Sequence, residues 1–257
     1  MNDDLLQLCQ SLKLKRIPKI LDRELRRAEK QEPSYDEFLA RLLREELHAF
    51  QERSLEHRIR RARLPERWAL ESFPFDRQPG VRKAALLQLA SLEFVPRAEN
   101  LVFIGETGVG KTGLASGLLL KALENGYRGL FVKAQDLFDE LYASLADRST
   151  SRLLNRLSRY DLIQIDELGY LTLKPEQVNA FFKLLDMRYG RRPSIITSNL
   201  DYPDWYELFQ RKPLVDALLD RLQHHCITIR IDGPSLRVPE QQPDQPAQDS
   251  PSEPEEH

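Results

Sequence analysis

The chain has 257 residues, a formal net charge of −2 and 30% charged residues. That length holds one good-sized core with a smaller module beside it, and so balanced a charge means that any nucleic-acid binding must be argued from where the charges sit. Two cysteines, Cys9 and Cys226, lie far apart with no partner at metal-ligand spacing, and no run of about 18 apolar residues or signal-peptide pattern occurs. These features argue against a disulfide framework, a structural zinc site and a membrane span, so a cytoplasmic protein is expected.

From Leu5 to Leu64 the pattern is helical, with Lys and Arg on the faces. Ser34-Tyr35-Asp36-Glu37 predicts a helix start, because a Ser hydroxyl and a Glu three residues later satisfy each other's exposed backbone amides. Phe38, Leu39, Leu42, Leu43, Leu47 and Phe50 then recur at three- and four-residue spacing, which predicts one apolar face. Residues 1–70 hold 16 Lys and Arg against 13 Asp and Glu, and HRIRRAR at 57–63 is the densest basic patch. Residues 1–64 are therefore expected to form an all-helical N-terminal domain that docks DNA or a partner. A charge-rich helix is as readily a solvated face.

Residues 65–79, rich in Pro and aromatics, read as an extended connector that packs on a neighbour. From Val81 short apolar strands alternate with helices: NLVFI, then Lys111 to Glu124, GLFVKA, two helical stretches, DLIQID, Pro175 to Arg188, SIITSN, two more helices and CITIRI. Such alternation predicts an α/β domain over 80–238 with a mainly parallel sheet covered on both faces. Residues 239–257 carry five Pro and six acidic residues without Lys or Arg, the composition of a disordered acidic tail.

Within the α/β domain, Gly105-Glu106-Thr107-Gly108-Val109-Gly110-Lys111-Thr112 has the spacing of a phosphate-binding P-loop between a strand and a helix. Its glycines let successive amides converge on phosphates, Lys111 can reach the β and γ phosphates, and the Thr112 hydroxyl can ligate Mg2+. The apolar strand before Asp166 and Glu167 supplies a second element. In a P-loop ATPase the first acid holds magnesium and the second polarises the attacking water, so the pair points to ATP hydrolysis. A third strand, ending in Thr197-Ser198-Asn199, is the place for a polar residue, Asn199, that orients water against the γ phosphate. Taken singly, each element has a bland reading: a Gly-rich turn, a solvated Asp-Glu turn, a helix cap.

In this order the elements resemble the AAA+ ATPases. DELGY at 166–170, ITSNLDYPDWYELF at 196–209 and ALLDRLQHHCITIRIDGPSLR at 217–237 narrow the resemblance to the IstB family, helper ATPases encoded beside the IstA transposase in insertion sequences. The resemblance covers about residues 5–238. It implies a P-loop AAA+ core preceded by a small helical domain, with ATP and Mg2+ as cofactors. It also implies ATP-dependent self-association on double-stranded DNA, deformation of the target, and recruitment or activation of an IstA-type transposase.

By the same resemblance Arg221 is the arginine finger acting on a neighbouring subunit's ATP, and Arg237 is a second sensor contacting the nucleotide of its own chain. The family commonly has Pro inside the P-loop and His after Lys-Thr, where this chain has Glu106 and Gly113, and Leu236 stands where an aromatic is usual. A DnaC-type helicase loader shares the same core and is the alternative. A small-metabolite kinase and an architectural DNA-binding protein are more distant rivals.

Overall fold

The computed structural model describes residues 3–169 and 171–237, the side chains of 222–224 aside. The expected acidic tail and Tyr170 of the DELGY motif lie outside the described residues. Three helices open the chain: α1 (Asp3–Ser11), α2 (Ile17–Gln31) and α3 (Tyr35–Ala62). The capping box forms as expected, with Ser34 Oγ accepting from Glu37 N at 3.2 Å and Glu37 Oε2 accepting from Ser34 N at 3.3 Å. Cys9, Ile17, Ile20, Leu21 and Leu42 make a small core. Glu46 of α3 reaches across to accept the amides of Lys15, Arg16 and Ile17, between 2.6 and 3.0 Å, and so caps the start of α2. Burial raises the Glu46 pKa, but those amides and Arg53 outweigh it and hold the carboxyl below its ordinary value.

The expected single apolar face of α3 is corrected by the packing. Leu42 is buried and Phe38 half-buried against α2, whereas Leu39, Leu43, Leu47 and Phe50 are each at least half exposed. Helices α1 and α2 are too short to cover a helix of 28 residues, which runs for about 42 Å at 1.5 Å per residue. Its C-terminal part leaves them and packs Ile59 and Ala62 against Leu123 of the next module.

A five-stranded, all-parallel sheet forms the larger module, built from β1 (Asn100–Gly105), β2 (Gly129–Lys133), β3 (Leu162–Leu168), β4 (Ser194–Ser198) and β5 (Cys226–Ile231). The strand order is β2-β3-β4-β1-β5. The helices are α4 (Lys83–Leu89), α5 (Lys111–Glu124), α6 (Ala134–Ala146), α7 (Thr150–Ser158), α8 (Pro175–Arg188), α9 (Trp205–Phe209) and α10 (Lys212–His224). Strands buried on both faces need apolar residues at successive positions, and β1 to β4 have them.

Alternate residues divide between two cores. Val102, Ile104, Ile163, Ile165 and Ile196 join Phe138, Phe181 and Trp205 on one face. Leu101, Phe103, Leu162 and Ile195 join Leu114, Leu118 and the connector residues Leu70 and Phe73 on the other. The connector is not simply extended: it makes two short 3-10 turns at Leu70–Ser72 and Phe75–Arg77 and is stitched down along α5.

Candidate nucleotide site

All five strands run the same way, so their carboxyl ends share one edge, where ligands of open α/β sheets bind. The loop from Gly105 to Gly110 leaves β1 there and turns into α5. Gly108 and Gly110 have φ of 91° and 97°, which a side chain would strain, and the ring of Phe73 closes on the Cα of Gly110. Val109 is buried as the loop's anchor, while Glu106 and Thr107 face outward.

Lys111 donates to the carbonyls of Gly105 at 2.7 Å and Glu106 at 2.8 Å, so its ammonium is held inside the curve of the loop. Burial lowers the Lys111 pKa; Asp166 and Glu106 oppose the shift, and the nearby charge of Arg237 adds to it. A half-buried cation held by loop carbonyls at the N-terminus of a 14-residue helix suits a polyphosphate, so the residues present fit the nucleotide.

Asp166 is almost fully buried and sits between two hydroxyls. Thr197 Oγ1 donates to its Oδ1 at 2.7 Å, and Thr112 Oγ1 to its Oδ2 at 3.2 Å. Burial raises the Asp166 pKa above the ordinary carboxylate value, with the hydroxyls of Thr197 and Thr112 pulling the other way and the neighbouring Glu167 adding to the rise. A buried carboxylate joined to the P-loop hydroxyl is a ready pair of oxygen ligands for a hard divalent cation, which fits Mg2+.

Glu167 stands in a register irregularity between β3 and β4, with φ of 59°. This left-handed conformation is costly for a residue with a side chain. Thr197 Oγ1 accepts from Glu167 N at 2.9 Å, so one hydroxyl fixes both acids. The Glu167 carboxylate is exposed and pairs with Lys133 at the end of β2, at 3.1 Å. Asn199, expected to orient water, has its side-chain amide packed against Gly169 beside the acidic pair.

Thr197 and Lys133 were not among the expected site residues. The signal for Thr197 was its place on the strand beside Asp166; Lys133 had none beyond ending a strand. Below them Gln164 and Ser116 exchange hydrogen bonds at 3.1 and 3.2 Å, a buried polar link between β3 and α5.

The segment after β5 lies across the P-loop. Leu236 N donates to Gly108 O at 2.9 Å, and the buried Gln78 amide donates to both Val109 O at 3.2 Å and Pro234 O at 3.1 Å, tying connector, loop and C-terminal segment together. This brings Arg237 near Lys111. The Gly113 departure also acquires a structural partner: the indole of Trp68 lies 3.4 Å from where a Cβ on Gly113 would be.

Arg221 is not brought to this site. It lies near the end of α10, which feeds β5 at the amino edge, and it pairs with Asp186 of α8 at 2.9 Å with its guanidinium 5.7 Å from the Tyr189 ring centroid. Six-residue β1 puts the two edges about 20 Å apart.

Solved structures with the same fold include DnaI, with a TM-score of 0.55 at 22% identity over 65% of this chain and 92% of that one. The DnaC helicase loader gives a TM-score of 0.53 at 20% identity over 64% of this chain and 97% of that one. They establish the AAA+ fold. Among sequences, the chain is 39% identical to the "Insertion sequence IS21 putative ATP-binding protein" of Pseudomonas aeruginosa, over 91% of this chain and 88% of the relative. It is 35% identical to the IS232 counterpart of Bacillus thuringiensis subsp. berliner, over 80% of this chain and 83% of the relative. Residues 7–243 match the family described as IstB-like ATP binding protein, and the chain belongs to that family.

Proposed function

We propose that this protein is an ATP-hydrolysing helper of DNA transposition whose active sites are completed between subunits. ATP and Mg2+, when bound, supply the reacting phosphoryl group and the charge that neutralises it. The amides of residues 105–110 and the Lys111 ammonium hold the phosphates, Thr112 and Asp166 hold the metal, and Glu167 orients and polarises the attacking water with Asn199 beside it. Arg237 reaches the nucleotide of its own chain.

The observation that carries assembly is the position of Arg221 at the edge opposite its own P-loop, a separation of about 20 Å that an arginine side chain does not span. Its charge serves ATP only on another copy, so subunits stack with the Arg221 end of α10 of one against the carboxyl edge of the next. The oligomer then holds and deforms duplex DNA through sequence-independent, salt-sensitive phosphate contacts and recruits or activates the partner transposase. Residues 1–64 serve docking, residues 65–79 connect, and residues 80–238 form the ATPase unit. The names of the relatives, which place them in insertion sequences, support the transposition setting over helicase loading.

Mixing Lys111→Ala and Arg221→Ala subunits, each inactive alone, restores part of the hydrolysis because a mixed interface holds one complete site. No recovery despite demonstrated mixed assembly rejects the trans finger. Exclusive capture of a replicative helicase, with none of the transposase encoded alongside, rejects the transposition role.

A further inference from the structure

The amino edge of the sheet holds a cavity of about 810 Å³ that the nucleotide site does not use. Six arginines line it: Arg58 and Arg61 from the end of α3, Arg128 just before β2, and Arg152, Arg156 and Arg159 along α7. Among the described residues two of them make ion pairs, Arg128 with Asp161 at 2.9 Å and Arg156 with Glu140. Arg58 is fixed by neutral acceptors, Leu123 O at 2.8 Å and Ser54 Oγ at 2.7 Å, which orient its guanidinium without cancelling its charge. Arg61, Arg152 and Arg159 are exposed and have no ion pair among the described residues.

Helix dipoles account for part of this arrangement. Arg156 and Arg159 sit at the C-terminal end of α7, and Arg58 and Arg61 at that of α3, where cations are favoured. Arg152 lies in the first turn of α7, where a cation is disfavoured; the nearby Asp147 carboxylate interacts with it, but among the described residues it has no ion pair. Beneath the cavity the buried Arg188 donates to the carbonyls of Leu157 at 3.2 Å and Tyr160 at 2.8 Å, pinning the end of α7 and adding positive charge. The frame is thus rigid and short of anions.

Its dimensions select the anion. Arg152 to Arg159 spans about 10 Å of helix, too long for one phosphate and close to the axial advance of three phosphate-to-phosphate steps along a DNA strand. Guanidinium forks match phosphodiester oxygens, and the α3 pair approaches from the other side. We propose that this cavity binds the sugar–phosphate backbone of duplex DNA. The inference rests on the reading of the chain as a DNA-binding ATPase, and it places the contact at the junction of α3 and α7, beyond the helical module alone.

The test is fluorescence anisotropy of a labelled random-sequence duplex with the full chain and a slowly hydrolysed ATP analogue, across a range of salt concentrations. The Arg152→Ala/Arg159→Ala protein should bind about tenfold or more weakly, with a log–log salt slope shallower by about two, while analogue binding is unchanged. Arg152→Lys/Arg159→Lys should recover the slope. Lys183→Ala, exposed on α8 and outside the cavity, should leave both unchanged.

Unaltered affinity and slope in the double Ala protein overturn the inference and leave the DNA-binding reading standing. Binding of tripolyphosphate that is lost in that protein while duplex binding persists overturns it in favour of a small-anion pocket. Failure of the wild type to bind any duplex overturns the DNA-binding reading and the inference together.

Discussion

The two edges of the sheet use charge in opposite ways. At the carboxyl edge the charged groups face partners: Asp166 lies between two threonine hydroxyls, Lys111 is folded onto its own loop carbonyls, and Glu167 is drawn to Lys133. At the amino edge the arginines outnumber their carboxylates, and rigidity comes from Arg188, whose guanidinium donates to three backbone carbonyls and Ser194 Oγ. Closely held charges are what a reaction needs, because hydrogen bonds set beforehand do not have to reorganise at the moment of chemistry. Excess charge on an open face is what a long polyanion needs, because its own counterions are then released.

The largest expected effect isolates the carboxyl edge. Glu167→Gln should keep the fold and nucleotide binding but remove the carboxylate proposed to polarise water, so phosphate release should fall by about 10²- to 10⁴-fold. Duplex binding in a salt titration should be untouched, since the amino edge is unchanged. Wild-type turnover in this variant would remove Glu167 from catalysis.

Arg188→Met probes the support of the other edge. Burial pushes this guanidinium down to about 9, still charged at neutral pH, and its loss strands the carbonyls of Leu157, Tyr160 and Pro193. Urea denaturation should report a loss of about 3 kcal/mol, in line with buried acceptors left unpaired. A loss below about 1 kcal/mol would mean that water replaces the guanidinium and that the amino edge is not pinned.

A smaller effect should come from Gly113→His, whose Cβ would already touch the indole of Trp68 at 3.4 Å and whose ring must fit beside it, at a cost of about 1–3 kcal/mol by overpacking. Trp68→Ala in the same chain should relieve most of that loss. Additive losses in the double-mutant cycle would separate the Gly113 departure from its Trp68 neighbour.

The smallest concerns pH. The Asp166 pKa is raised on folding, so between the unfolded value near 4 and the higher folded one the native state holds more protons than the unfolded chain. Stability of the nucleotide-free protein should therefore fall as pH rises through that window. Asp166→Asn should flatten this dependence and leave the metal-free protein at least as stable as wild type at pH 7, while losing the gain in melting temperature that Mg-ATP confers on wild type. A destabilised Asn variant with the pH slope intact would place the strain elsewhere.

What could be read beforehand was what depends on neighbours in the chain. The capping box at Ser34, helices α5 and α8 to their ends, the five strands and the P-loop all follow from local periodicity and from residues whose chemistry acts within a few positions. Thr197 was read as part of a polar strand end in which Asn199 carried the expected role. Only the pairing of β4 with β3 puts its hydroxyl on Asp166 and on the Glu167 amide. The apolar stripe on α3 was read as one face because periodicity reports which residues align and not how far their cover extends.

The sequence by itself therefore determined the nucleotide: glycines, lysine and threonine within eight residues make a phosphate cradle wherever a strand delivers them to a helix. Tertiary structure alone decided which charges meet. The Arg cavity draws on residues from 58 to 159, and the separation of Arg221 from its own P-loop depends on which edge of a parallel sheet each helix feeds. Coulomb forces act through space, whereas spacing along the chain records only local geometry. For that reason HRIRRAR looked like the end of a basic helix and became one wall of a cavity.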